Sequence, residues 1–192
     1  MKLNIRNMVS NRCMLAVKDE LQKLGVNDVI VKLGEVETPI EISEQTYSQI
    51  KIALKGLGFE LMEDKRLILA EKMKILVIEM IHYNEYTDKV ILSAYLTEKL
   101  NLDYTYLSNI FREYQGVSLE HFMIFHRIER IKELLMYDEL TISEIAWKLN
   151  FSSVGHLSNQ FKKFTGISPL QFKQIKDKSR IPIESIGLHQ DC

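Results

Sequence analysis

Two segments fifty positions apart carry the same small polar and basic side chains at the same spacing. They run from Leu107 to Ser118 and from Leu157 to Ser168, and both follow Leu-Ser-Asn-x-Phe-(Arg/Lys)-x-aromatic-x-Gly-(Val/Ile)-Ser. Serine and asparagine supply hydrogen-bond donors and acceptors, and arginine and lysine add positive charge. The chemistry that this repeat offers is therefore hydrogen bonding and charge pairing with a partner.

Motifs that would support catalysis are missing from the sequence. There is no Gly-rich phosphate loop, no Gly-x-Ser-x-Gly and no His-Glu-x-x-His. His121 and His126 are five residues apart, so a helix places them on different faces, and the other histidines show no ligand spacing. We therefore predict that the chain is not an enzyme and that it uses no cofactor.

Each copy of the repeat is predicted to contain two helices joined by a tight turn. In the second copy, Thr141 and Glu144 have the spacing of a capping box, and the helix ends at Asn150. Ser152 or Ser153 then caps a second helix that ends at Gly166. The apolar residues of the first of these helices fall on one stripe: Ile142, Ile145, Ala146 and Leu149.

The first copy repeats this arrangement. It has a predicted helix over 91–100, a stop at Asn101 and a second helix over 104–114 that ends before Gly116. Residues 118–136 between the copies keep helical apolar spacing, which predicts one longer connecting helix. Two short helices with a tight turn and a small polar outer face are typical of the helix-turn-helix motif.

Residues 85 to about 176 resemble the DNA-binding domain of the AraC/XylS family of transcription regulators. The residues that carry the resemblance are Ile142-x-Glu144-Ile145-Ala146, Phe151-Ser152-Ser153 and Leu157-Ser158-x-x-Phe161-Lys162-Lys163-x-x-Gly166-x-Ser168-Pro169-x-x-Phe172. The resemblance implies that the second helix of each copy enters the major groove of double-stranded DNA. It implies contacts from Thr105, Ser108, Asn109 and Arg112 in the first copy, and from Ser153, Gly155, His156, Ser158, Asn159, Lys162 and Lys163 in the second.

Asn109 and Asn159 depart from the family, in which arginine is common at this position. Arginine usually pairs with guanine O6 and N7, whereas asparagine pairs with adenine N6 and N7. The sequence therefore predicts adenine opposite both asparagines. Gly155 leaves a gap where a longer side chain would touch a base.

The charge balance permits a different partner. Residues 85–178 carry 12 basic and 12 acidic residues, although six basic residues and one acid lie between Lys162 and Arg180. A domain that binds DNA by charge alone usually has a basic excess. An adaptor that has kept the helix-turn-helix fold and binds protein instead of DNA is therefore an alternative.

Residues 1–62 have the pattern of a separate α+β domain. The predicted order is strand, helix, two strands, helix and strand, which is the ferredoxin-like βαββαβ arrangement. The predicted ranges are 2–7, 11–24, 28–33, 35–42, 43–58 and 59–62.

This domain also resembles heavy-metal-associated domains, in which a Met-x-Cys-x-x-Cys loop binds a soft metal through two thiolates. Here the loop is Met8-Val9-Ser10-Asn11-Arg12-Cys13, so Ser10 replaces the first cysteine and the thiolate pair is broken. Three roles for Cys13 stay open: a structural or partner-binding loop, a weak or dimer-shared metal site, and a redox thiol. A metal-sensing or metal-trafficking protein is accordingly a second alternative function.

The segment 67–83 is apolar on almost every side, which favours burial on every side. Packing between two domains and a homodimer contact are both consistent with it. We predict a domain over 1–64, a connecting helix over 65–84, a DNA-binding domain over 85–178 and a flexible tail over 179–192. Without a signal peptide, a membrane span or a disulfide framework, the chain is expected in the cytoplasm.

Overall fold

The computed structural model describes residues 1–83, 91–175, 179–183 and 186. The chain folds as two compact units, Met1–Ile75 and Leu76–Cys192. The boundary between them falls inside the segment 65–84 that the sequence predicts as a connection.

The first unit contains a four-stranded antiparallel sheet in the order β2-β3-β1-β4. Two helices, α1 and α2, connect the strands in the chain order βαββαβ, which confirms the predicted ferredoxin-like fold. The elements are β1 Lys2–Arg6, α1 Asn11–Lys23, β2 Ile30–Lys32, β3 Glu35–Glu37, α2 Glu44–Gly56 and β4 Glu60–Met62.

The predicted ranges of β2 and β3 were wrong because both strands are only three residues long. Asp28 has a φ of 57°, which lies in the left-handed region and is incompatible with a strand that begins there. Beyond β3, Pro39 has no backbone N–H with which to extend the ladder toward residue 42.

The two sides of this sheet differ. Leu3, Ile5 and Val36 are buried with the apolar faces of α1 and α2. The opposite side carries cross-strand ion pairs, including Lys2 with Glu35 at 2.9 Å and Arg6 with Glu60 at 3.5 Å. Exposed pairs of this kind add little stability, so the apolar side holds the unit together.

The segment after β4 forms helix α3, Lys65–Ile78, and continues as a π-helical segment, Glu79–Tyr83. Helix α3 also buries a polar pair. The Lys74 Nζ atom lies 3.1 Å from Glu71 Oε1, and both side chains are nearly inaccessible to solvent. Glu71 also accepts a hydrogen bond from the backbone N–H of Asn7 at 2.9 Å. The homodimer contact through residues 67–83 stays a prediction.

The second unit is all-helical in its described part, as the sequence predicts. Its helices after the π-helical segment are α4 Leu92–Leu100, α5 Tyr104–Gln115, α6 Leu119–Tyr137, α7 Ile142–Lys148, α8 Val154–Thr165 and α9 Pro169–Gln174. Helix α6 is the helix predicted over 118–136, which joins the two copies of the repeat. Helices α7, α8 and α9 pack against it around a core that includes Ile131, Leu135 and Phe161.

Residues of the predicted tail contact α6 where the structure describes them. Arg180 forms an ion pair with Glu133 at 3.4 Å, and the backbone N–H of Ile181 donates to Glu129 at 2.9 Å. Ile186 is buried. The rest of the predicted tail, 184–185 and 187–192, lies outside the described residues. Among the described helices, none is both long and apolar enough to cross a membrane.

Candidate nucleic-acid interface

Helix α5 is held at both ends by local hydrogen bonds. The Asp103 carboxylate accepts from the backbone N–H groups of Thr105 at 2.8 Å and Tyr106 at 3.2 Å. The helix ends at Gly116, whose φ of 75° is the left-handed conformation that glycine adopts without a steric cost. Leu107, Ile110 and Phe111 are buried, so the orientation of the opposite face is fixed.

Helix α8 has the same construction. Of the two serines that the sequence offers, Ser153 is the cap, and its hydroxyl accepts from the backbone N–H of His156 at 3.0 Å. Leu157 and Phe161 are fully buried at the positions of Leu107 and Phe111, and the helix ends at Gly166 with a φ of 81°. The two helices therefore have the same length, N-caps and glycine ends at equivalent positions, and a leucine and a phenylalanine buried at equivalent positions.

The predicted DNA-contacting residues all lie at the surface of these helices. On α5, four of them share one face at i, i+3, i+4 and i+7: Thr105, Ser108, Asn109 and Arg112. The equivalent face of α8 carries Gly155, Ser158, Asn159 and Lys162. Ser108 and Ser158 are half-buried, and the other six residues are exposed.

The three remaining predicted residues lie beside this face of α8. Ser153 is its N-cap, Lys163 is in its last turn, and His156 is in its first turn; all three are exposed. The His156 Nδ1 atom lies 3.0 Å from the hydroxyl oxygen of Ser152, and its ring meets that of Phe151 edge-on at 5.4 Å. These contacts fix the orientation of the imidazole. Its second ring nitrogen, Nε2, takes part in neither of them.

The space at Gly155 is open. A Cβ atom built there would meet only the Ser153 hydroxyl, at 3.8 Å. Packing therefore does not require glycine at this position. The missing side chain leaves a gap in the exposed polar face of α8.

Three basic side chains on the two helices are available to a partner. Arg112, Lys162 and Lys163 are exposed, and across the described chain no carboxylate forms an ion pair with them. Arg127 of α6 lies beside α8, with its guanidinium carbon 5.6 Å from the centroid of the Phe151 ring. Burial lowers the pKa of this guanidinium.

Helix α5 is also joined to α6 by a polar contact. The Tyr104 hydroxyl donates to the Glu120 carboxylate. Burial, and then this hydrogen bond, raise the pKa of Tyr104. The rings of Phe111 and Phe122 pack edge-on at 5.2 Å between the same two helices.

Two exposed aromatic residues of the repeats were not predicted from the sequence. Tyr106 on α5 is 49% exposed and occupies the position of His156 on α8. Because equivalent positions of the repeats are fifty residues apart, the prediction of His156 could have identified Tyr106 as its counterpart. Trp147 on α7, the only tryptophan of the chain, is 70% exposed, and helical periodicity could have placed it outside the apolar stripe of Ile145 and Leu149.

The loop that resembles a metal site is partly packed into the first unit's core. Met8 is fully buried, and the Ser10 hydroxyl oxygen lies 3.3 Å from the Cys13 sulfur. Within the described residues, no group of three or more histidine, cysteine or acidic side chains is placed to hold a metal ion. The resemblance to heavy-metal-associated domains stays a prediction.

Comparison with known proteins places the similarity in the second unit. A family model described as a helix-turn-helix domain matches residues 96–175. The Msm operon regulatory protein of Streptococcus mutans is 34% identical over 79 residues, which cover 41% of this chain and 28% of that protein. An uncharacterized HTH-type transcriptional regulator of Staphylococcus aureus, SAS0078, is 37% identical over 78 residues, which cover 41% of this chain and 10% of that protein. The match therefore spans less than a third of either relative.

Two solved structures are also similar. The C-terminal domain of AraT, a response regulator from Geobacillus stearothermophilus, covers 59% of this chain and 90% of its own, with 26% identity and a TM-score of 0.49. The C-terminal domain of the response regulator yesN from Fusobacterium nucleatum covers 54% of this chain and 99% of its own, with 32% identity and a TM-score of 0.47. On the family match and the repeated helix pairs, the second unit of this chain contains, at residues 96–175, a helix-turn-helix domain.

Proposed function

We propose that the chain is a sequence-specific DNA-binding transcription regulator in which α5 and α8 enter successive segments of the major groove. The observation that carries the proposal is the equivalence of the two helices. Both present a small polar face at the same four positions, and both have a side-chain N-cap, a glycine end and a buried leucine and phenylalanine at equivalent positions. A helix pair of this kind is the unit that places a helix in the major groove.

The residue types on these faces suit base recognition. Asn109 and Asn159 are exposed at equivalent positions, and an asparagine amide can donate to adenine N7 and accept from N6. We expect adenine opposite both. We expect Lys162, Lys163 and Arg127 to contact phosphates, which would give affinity that depends on salt but not on sequence.

Helix α6 supports tandem binding because it joins the two repeats. Its 19 residues extend about 28 Å at 1.5 Å per residue. Major-groove faces recur about every 34–36 Å along B-DNA. A rigid helix of this length suits a fixed spacing between two bound segments.

The proposal is tested by selecting duplexes from a random pool with the purified chain over a salt series. We expect an enriched site of two blocks about one helical turn apart. Asn159→Ala should weaken binding to this site by about 1–3 kcal/mol and leave binding to random duplexes nearly unchanged. Asn27→Ala, in the first unit, is the control for the same chemical change away from the interface.

The outcomes separate the alternatives. Equal losses on selected and random duplexes would contradict base recognition by Asn159. No enrichment even at low salt would contradict DNA binding and favour the adaptor. Repeating the selection with Zn²⁺ or Cu(I) tests metal sensing, which a metal-dependent change in the enriched site would support.

A further inference from the structure

We infer that the two repeats contact DNA unequally: the second repeat, 142–167, supplies most of the contacts to the phosphate backbone in addition to its base contacts, whereas the first repeat, 92–117, binds mainly through its base contacts. This inference rests on the proposed function and adds a division of roles to it. It follows from a comparison of equivalent positions, because the two repeats share one fold.

The two repeats carry opposite net charges over the same length of 26 residues. The first contains two basic residues, Lys99 and Arg112, and three acids, Glu98, Asp103 and Glu113. The second contains three basic residues, Lys148, Lys162 and Lys163, and one acid, Glu144. The net charges are −1 and +2.

The difference arises at exposed positions that match one to one. Glu113 in the last turn of α5 corresponds to Lys163 in the last turn of α8, which reverses the charge. Asp103, which caps α5, corresponds to the neutral cap Ser153 of α8. A cap needs only a side-chain oxygen, so the fold does not require the acid at one position and the serine at the other.

The acid that the second repeat does keep is used locally. Glu144 accepts hydrogen bonds from the backbone N–H and the hydroxyl of Thr141, both at 2.7 Å. This capping box belongs to the start of α7. The C-terminal end of α8, with Lys162 and Lys163, is therefore basic without an acidic neighbour in the same helix.

Arg127 adds a cation next to α8. Its guanidinium lies over Phe151, the residue that leads into the α7–α8 turn, and it is about half-buried. In the part of the chain that the structure describes, no carboxylate forms an ion pair with it. A partly desolvated guanidinium with no acidic partner is suited to a phosphate, with which it can form two parallel hydrogen bonds.

The physical consequence is a difference in salt dependence. Each neutralised phosphate contributes about −0.9 to the slope of log affinity against log salt. Arg127, Lys162 and Lys163 would together contribute about −2.7, whereas Arg112 is the only basic residue of α5 and is followed directly by Glu113. Binding to random DNA, which depends on phosphates, should therefore come mainly from the second repeat and the adjacent Arg127.

The test compares Arg112→Gln with Lys162→Gln. These residues occupy the same position of α5 and α8, both are exposed, and each change removes one positive charge. Affinity is measured between about 50 and 200 mM salt for a random duplex and for the duplex that selection enriches, with circular dichroism confirming that both variants are folded.

We expect Lys162→Gln to weaken binding to both duplexes by about tenfold near 0.1 M salt and to lower the salt slope by about 0.9. Arg112→Gln should leave the slope on the random duplex unchanged and weaken only the selected one. Equal slope changes on the random duplex, or a change with Arg112→Gln alone, would overturn the inference while leaving the proposed function intact. Failure of the wild-type chain to bind either duplex at 50 mM salt would instead overturn the proposed function, and the inference with it.

Discussion

Asn101 and Asn150 occupy the same place in the two repeats and adopt the same left-handed backbone, with φ values of 53° and 57°. Each follows the first helix of its repeat and begins the turn into the second. Asparagine tolerates this conformation better than any residue with a larger or branched side chain. The two turns therefore place α5 and α8 in equivalent ways.

Asn150→Ala should reduce the free energy of unfolding by about 1 kcal/mol, because alanine has no local hydrogen bond to stabilise a positive φ. Asn150→Gly should be neutral or slightly stabilising. Urea unfolding followed by circular dichroism measures both. Asn159→Ala is the matched control: it makes the same chemical change inside α8, where alanine favours the helix, and should not destabilise. Equal losses for the two alanine variants would show that the backbone of Asn150 is not the cause.

Stability should fall in mild acid because of His82. Its Nε2 atom lies 3.2 Å from Nδ1 of His126, and burial, and then Arg130, lower the pKa of His82 from its ordinary 6.5 to about 4. Between these values the unfolded chain binds more protons than the folded one. The free energy of unfolding should therefore have its full value above about pH 6.5. It should decrease toward pH 4, by about 3 kcal/mol at most.

His82→Gln removes this titration, so the decrease between pH 6.5 and 4 should be smaller in the variant than in the wild type. Unfolding in urea at a series of pH values gives the comparison. His121→Gln, at an exposed histidine of α6, is the control and should keep the wild-type pH dependence. Parallel curves for the wild type and His82→Gln would contradict a lowered pKa.

The geometry at Ser10 and Cys13 predicts how a metal site could be introduced into the first unit. The Ser10 oxygen and Cys13 sulfur lie 3.3 Å apart, close to the ~3.8 Å between two thiolates on a tetrahedral zinc with Zn–S bonds of 2.3 Å. Ser10→Cys should bind Zn²⁺ or Cu(I) in competition with a chromophoric chelator, and the wild type and Ser10→Ala should not. Stoichiometric binding by the wild type would favour the metal-sensing alternative.

Elements whose boundaries depend on local signals could be predicted from the sequence. The capping box of Thr141, the stops at Asn101 and Asn150 and the glycine ends of α5 and α8 act within a few residues, and the structure contains each of them. The repeat also predicted the exposed faces of both helices, since equivalent apolar residues had to be buried.

Features set by contacts distant in sequence could not be predicted in this way. The lengths of β2 and β3 depend on pairing within the sheet, and helical periodicity does not distinguish the π-helical turn that brings His82 to His126 from an α-helix. The position of Arg127 over Phe151 joins residues 24 positions apart. The sequence contains no signal for this contact.

Footprinting the chain base by base on its selected duplex shows whether α5 and α8 both contact bases. We expect two protected major-groove blocks about one helical turn apart, with an adenine in each that loses protection in Asn109→Ala or Asn159→Ala respectively. A single protected block, or guanine opposite both asparagines, would contradict this expectation.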